Sequence, residues 1–206
     1  MQLLGKETAR RLVNRLILLG PASYGTFSAV FAIGGNHEMI GQLKDYGLEW
    51  PTDLNDVLQS MTCIYQMIPW KVGTVAMTPD EIAAMGDPDT WEGKCDPARL
   101  RKFFRWADST DTEFFNDRTS IILGDDPETP TAVEFADGVP IKTGVGQGDG
   151  TVPDACAILT GVTDVARAAK ASHTTLPLNR QVMQSVWRMI EADLAAQAMA
   201  PDDRGE

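Results

Sequence analysis

Two short apolar runs limit the folds open to this chain more than any other feature. Arg15-Leu16-Ile17-Leu18-Leu19 is closed by Gly20-Pro21, and Thr119-Ser120-Ile121-Ile122-Leu123 is closed by Gly124-Asp125-Asp126-Pro127. Each run is short and ends in turn residues, so each reads as a strand. The first is apolar at every step after Arg15, which suits a strand buried on both faces, as in a parallel sheet covered by helices. The stretch between the two runs is rich in Pro, Gly, Asp and Trp and carries helix signals but no strand, so residues 41–116 read as a helical insertion. Strand, insertion, strands and a closing helix is an α/β order, and the fold class expected is a mostly parallel sheet flanked by helices.

Smaller signals fill in this outline. Residues 3–12 read as the end of an amphipathic helix, and residues 26–33 as a helix stopped by Gly34-Gly35. Residues 41–51 look irregular. Residues 53–61 form a helix capped by Thr52 or Asp53, and two further helices fall at 80–85 and 97–108. A strand is expected at 131–135, then a glycine-rich loop at 144–150, then a last strand within 162–168. Residues 179–198 give the clearest helix, capped by Asn179, with Val182, Val186, Met189, Ile190 and Leu194 recurring at three- and four-residue steps.

Charge and cysteine usage exclude several functions. The formal net charge of −11 repels phosphate backbones and anionic membranes unless Lys and Arg gather on one face. The main basic cluster, Arg99, Arg101, Lys102 and Arg105, is interleaved with Phe103, Phe104 and Trp106 and reads as the polar side of an amphipathic helix, so nucleic acid is not expected as a partner. Cys63, Cys95 and Cys156 are odd in number and widely spaced, which argues against a disulfide framework or a structural zinc site. Neither a metal nor another cofactor is expected. No apolar run reaches the roughly 18 residues that span a bilayer. Residues 1–12 carry Lys6, Glu7, Arg10 and Arg11 and lack the apolar core of a secretory signal, which leans toward the cytoplasm without assigning a compartment.

Only two histidines are available as a general base, His37 and His173. His37 stands in the polar, turn-like Gly34-Gly35-Asn36-His37-Glu38 and reads as a loop residue. His173, in Ser172-His173-Thr174-Thr175-Leu176-Pro177, lies between a strand and the final helix, where a loop can present an imidazole to a cleft. Upstream, Asp149 sits among Gly144, Gly146, Gly148 and Gly150, and glycines let a loop turn sharply enough to aim one carboxylate. A carboxylate that accepts the Nδ1 proton of a histidine fixes its tautomer and stabilises the imidazolium. A phosphate cradle is a poorer reading of the glycines, because they depart from G-x-G-x-x-G spacing and position 149 is acidic. Calcium binding by Asp125, Asp126 and Asp149 has no loop pattern behind it, and Asp125-Asp126-Pro127 is more simply a turn.

Gly148-Asp149-Gly150-Thr151-Val152-Pro153, followed by a histidine before a long last helix, resembles the lecithin:cholesterol acyltransferase-like family of α/β-hydrolases. Residues 16–26, from Leu16 through Gly20-Pro21-Ala22-Ser23-Tyr24-Gly25 to Thr26, resemble that family's strand and turn just after the nucleophile helix. Cys63-Ile64-Tyr65-Gln66-Met67-Ile68-Pro69 resembles its Tyr-x-Leu-Leu-Pro stretch in the cap. The resemblance implies the C-terminal part of an α/β-hydrolase domain over residues 1–206, with residues 41–116 as its cap. It makes Asp149 the triad acid and His173 the base, and implies acyl-ester hydrolysis or transfer on lipid-like substrates. Tyr65, Met67 and Trp70 would line the acyl site, with Trp50, Trp91, Trp106, Met61, Met77 and Met85 as further apolar surface, although any one of these also fits an ordinary core.

The same resemblance exposes what is missing. The family's nucleophilic serine stands in a G-x-S-x-G elbow before the acid and the base, and no such elbow occurs in this sequence. Ser23 and Ser28 lack its flanking glycines. Loss of the serine from such triads costs on the order of 10⁶ in kcat. The chain alone is therefore expected to be inactive, with an upstream segment or a partner chain completing both sheet and site. The alternative is a hydrolase-like module that binds an apolar ligand or a protein and does no chemistry.

Overall fold

The computed structural model describes residues 5–38, 54–71, 78–110 and 115–199. Its centre is a three-stranded parallel sheet in the order β1 (Leu16–Leu19), β2 (Thr119–Leu123), β5 (Asp164–Arg167). Leu16 pairs with Thr119 and Leu19 with Ile122, while Ser120 pairs with Asp164 and Leu123 with Arg167. β2 is the middle strand and every residue in it is buried. β1 has one strand neighbour among the described residues, and all four of its residues are only half-buried, short of the full burial its apolar sequence suggests.

Helices cover both faces of the sheet, as the sequence implies. One face carries α2 (Phe27–Gly34) and α7 (Asp154–Ala157), and the main core forms there from Phe27, Val30, Ile121, Leu123, Val152 and Cys156. Thr26 starts α2 with its side-chain oxygen accepting from the Ser28 amide, and Gly35 ends it at φ 81°, in the left-handed region that glycine enters freely. The opposite face carries α8 (Arg180–Met199), whose Val182, Val186 and Met189 pack on Leu19, Ile122, Ala168 and Leu176. Asn179 caps α8, accepting from the amides of Gln181 and Val182. Arg15, at the start of β1, ties α8 to the sheet through two bonds of 2.7 Å to Asp193 and one of 2.9 Å to Ser120.

The middle of the chain supplies short helices: α3 (Leu54–Ser60), α4 (Thr62–Tyr65), α5 (Pro79–Gly86) and α6 (Pro97–Ala107). A capping box sets the start of α5, where Thr78 and Glu81 exchange side chain-to-amide bonds. Near the N-terminus, α1 is Lys6–Leu12. The expected irregular stretch 41–51, the proposed caps Thr52 and Asp53, Trp50 and Met77 lie outside the described residues.

Two expectations fail in the C-terminal half. Asp126 opens an eleven-residue strand, β3 (Asp126–Ala136), where a simple turn was expected. Most of the glycine-rich loop is also a strand, β4 (Val139–Gly148), paired antiparallel with β3 in a separate two-stranded sheet. The cause lies in the contacts. A Cβ on Gly146 would lie 3.0 Å from Thr131 Cγ2, and one on Gly144 would lie 3.1 Å from Ala132 Cβ. These glycines let the two strands press together, and the free loop contracts to Asp149 and the residues after it.

Candidate functional site

Asp149 emerges where β4 ends, and three contacts hold it there. Its amide donates to the Val152 carbonyl, and its Oδ1 accepts from the amides of Thr151 at 3.0 Å and Val152 at 2.7 Å. The Gly150 amide donates to the hydroxyl of buried Thr129 at 2.8 Å. With Oδ1 occupied by its own turn, Oδ2 is aimed outward. It lies 2.8 Å from His173 Nδ1.

His173 reaches this position from the loop after β5, and its backbone amide also donates to the Asp149 carbonyl at 2.7 Å. The two residues are thus fastened through both main chain and side chain. Asp149 is 2% exposed, whereas the His173 side chain is 39% exposed, so the carboxylate is enclosed and the imidazole opens toward solvent. The bond to Asp149 raises the histidine's pKa above its ordinary value against the opposing pull of partial burial. A neutral His173 holding its proton on Nδ1 would leave Nε2 free to take a proton from a nucleophile.

The pair stands at the C-terminal ends of β1, β2 and β5, where ligands bind in open parallel sheets. Gly20 ends β1 at φ 51°, and a Cβ on it would lie 2.5 Å from Asp149 Oδ2 and 3.4 Å from His173 Nδ1. Gly124 follows β2, and a Cβ there would lie 2.5 Å from the Ala171 carbonyl oxygen. Both glycines clear the space in which carboxylate and imidazole meet. By sequence both read only as strand stops, although a glycine directly after β1 and another directly after β2 is the available signal.

The other candidates fall elsewhere. The Ser23 hydroxyl donates to the Ala157 carbonyl at 2.9 Å, and that of Ser28 points to Thr151 O. Among the described residues, no hydroxyl is hydrogen-bonded to His173. His37 borders a cavity of about 370 Å³ shared with Ser28, Lys142, Gly150 and Thr151, and burial lowers its pKa. Tyr65 is fully buried, with its hydroxyl accepting from the Asp96 amide at 2.8 Å, and burial pushes its pKa up to about 12. Trp70 is half-buried and meets Tyr24 edge-on at 5.6 Å, while Met67 is exposed. Trp91 and Met85 are wholly buried in the main core.

No family model matches this sequence, and no curated protein matches it either. Among the described residues, no helix is long and apolar enough to cross a membrane.

Proposed function

We propose that Asp149 and His173 are the acid and base of a Ser–Asp–His acyl-transfer site, in the C-terminal part of an α/β-hydrolase that resembles the lecithin:cholesterol acyltransferase-like family. The observation that carries this reading is the 2.8 Å contact from Asp149 Oδ2 to His173 Nδ1, at the C-terminal edge of a parallel sheet. In such a site His173 Nε2 takes the serine proton as the hydroxyl attacks the ester carbonyl. It then returns that proton to the leaving alcohol, and the acyl group passes to water or to a second alcohol. Asp149 stabilises the imidazolium formed between these steps. The substrate is a lipid-like ester, with Met67 and Trp70 among the cap residues facing it.

The serine and its oxyanion hole come from outside these 206 residues, in an upstream segment or a partner chain. The half-buried apolar strand β1, with a free edge among the described residues, supports this, because an unpaired edge is a template for a further strand. The hydroxyls of Ser23 and Ser28 are already directed at carbonyl groups, so neither fits the role. The second reading is a non-catalytic module that binds an apolar ligand or a protein, favoured by the lack, among the described residues, of a hydroxyl hydrogen-bonded to His173.

A fluorophosphonate probe separates the two. A polypeptide that includes the completing segment should be labelled, and His173→Ala should abolish labelling while the 206-residue chain alone stays unlabelled. An unlabelled complete protein with an intact fold would overturn the catalytic reading and leave the binding module standing.

A further inference from the structure

The outer side of α6 carries a groove that belongs to neither the sheet nor the Asp149–His173 pair. It encloses about 410 Å³ between α4 and α6, with Thr62 and Gln66 on one wall and Arg99, Lys102, Phe103 and Trp106 on the other. The Phe103 and Trp106 rings lie 5.8 Å apart at a tilt of 33°; Phe103, 4% exposed, backs the groove from the core, and Trp106, 44% exposed, is its open apolar surface. An exposed indole beside a cavity leaves apolar surface in water that a ligand could cover.

The charges around the groove select the ligand. Asp96 is neutralised in place: Oδ1 accepts from the amides of Ala98 and Arg99, and Oδ2 pairs with Arg99 Nε at 3.0 Å. These bonds hold its carboxyl below the ordinary range. Arg99 is in turn held by Thr62 Oγ1 at 2.6 Å. Lys102 makes no ion pair among the described residues, so it is the uncompensated charge at the groove, in a protein whose net charge is −11. A cation and aromatic rings lining one groove suit a molecule with an anionic head and an apolar body.

We propose that this groove binds a small apolar carboxylate, with its head at Lys102 and its hydrocarbon against the exposed Trp106 indole. The groove shares no residue with the Asp149–His173 pair, and the proposal does not rest on the acyl-transfer reading.

The test titrates the protein with hexanoate, octanoate, octanol and octylammonium while following Trp106 through its indole N–H resonance, assigned by Trp106→Phe. Octanoate should shift that resonance saturably and bind tighter than hexanoate, by up to about fourfold for each methylene that becomes buried. Lys102→Gln should weaken octanoate by about two- to fivefold, the scale of a partly exposed ion pair, and leave octanol unchanged. Lys102 is solvent-facing, so this variant keeps its fold, and unaltered resonances of the four other tryptophans would report that. Equal binding of octylammonium and octanoate, no dependence on chain length, or indifference to Lys102→Gln would each overturn the proposal.

Discussion

At the scale of single residues, the Asp149–His173 contact was readable because its chemistry uses few residue types. Two histidines and one glycine-flanked aspartate left little choice. The surroundings are less readable: the glycine after β1 marks a strand stop but not the side chains it makes room for, and Thr129 acts through burial, which leaves no mark in a local pattern. The pairing itself and the clearance at Gly20 can be measured by histidine NMR. His173 should titrate above 6.5, and Asp149→Asn should lower its midpoint, because the amide cannot stabilise the imidazolium. Gly20→Ala should act in the same direction, since its methyl enters the space of Asp149 Oδ2, and it should cost about 1–3 kcal/mol of stability from backbone strain at positive φ. The linkage has a definite sign. A raised folded-state pKa means that this pair stabilises the fold fully below about pH 6.5, and that the contribution fades as pH rises through the raised value. Any base catalysis by His173 grows over that same upper interval, as the neutral imidazole appears.

Burial also sorts the three cysteines. Desolvation pushes Cys95 up to about 11 and Cys156 up to about 12, while Cys63 is exposed. Since the thiolate is the reactive form, iodoacetamide at neutral pH should modify Cys63 in the native protein and reach the other two only in denaturant. Mass spectrometry of tryptic peptides reads this directly. Fast native labelling of Cys156 would mean that α7 opens.

At the scale of elements, the sequence located β1, β2, α2, α5, α6 and α8 within a few residues, because each combines an apolar period with a stop or a cap. The β3–β4 hairpin escaped for a physical reason. Its second strand carries Gly144, Gly146 and Gly148, which are loop residues by composition and strand residues here because the partner's side chains occupy the space of a Cβ. Asp137-Gly138, with φ of 50° and 71°, was the local signal: both residues take the positive φ that a two-residue hairpin turn with right-handed twist needs. In α8 the five recurring apolar positions go to two places. Val182, Val186 and Met189 face the sheet, whereas Ile190 and Leu194 join Met183 and Trp187 on an exposed stripe. A sheet three strands wide receives only one narrow face of a twenty-residue helix. The bidentate Arg15–Asp193 bond then matters to how the second half of α8 is held. Asp193→Asn should destabilise the protein by about 1 kcal/mol. The carboxylate's depressed pKa gives a matching pH signature: its contribution is present above about pH 4 and lost as pH falls through the lowered value. Chemical denaturation of both proteins at pH 7 and pH 3 should show the difference shrinking at the acid end.

At the scale of the whole molecule, the helical middle and the sheet share one core. Ile64, Tyr65, Met85, Trp91, Leu100 and Phe103 from the middle of the chain belong to the same buried cluster as Val30, Ile121 and Leu123 beside the sheet. Trp91 is the link to the hairpin. Its indole N–H donates to the Met85 carbonyl at 2.9 Å, its ring meets Phe135 edge-on at 4.9 Å, and its own carbonyl lies against the turn at Gly138. A segment inserted as an independent lid would instead unfold on its own. A shared core requires the described parts to melt together, because removing the middle helices would expose apolar surface on the sheet side as well. Trp91→Ala should therefore cost about 3–5 kcal/mol from the cavity and the lost ring contact, with a further penalty for the orphaned Met85 carbonyl. It should move the whole transition, so that near-ultraviolet and far-ultraviolet circular dichroism stay coincident. Trp187→Lys supplies the contrast, since that indole is 61% exposed on α8 and its replacement should leave the stability within about 0.5 kcal/mol. If Trp91→Ala instead split the transition, with an early loss of near-ultraviolet signal and a later loss of helix, the middle segment would have a core of its own.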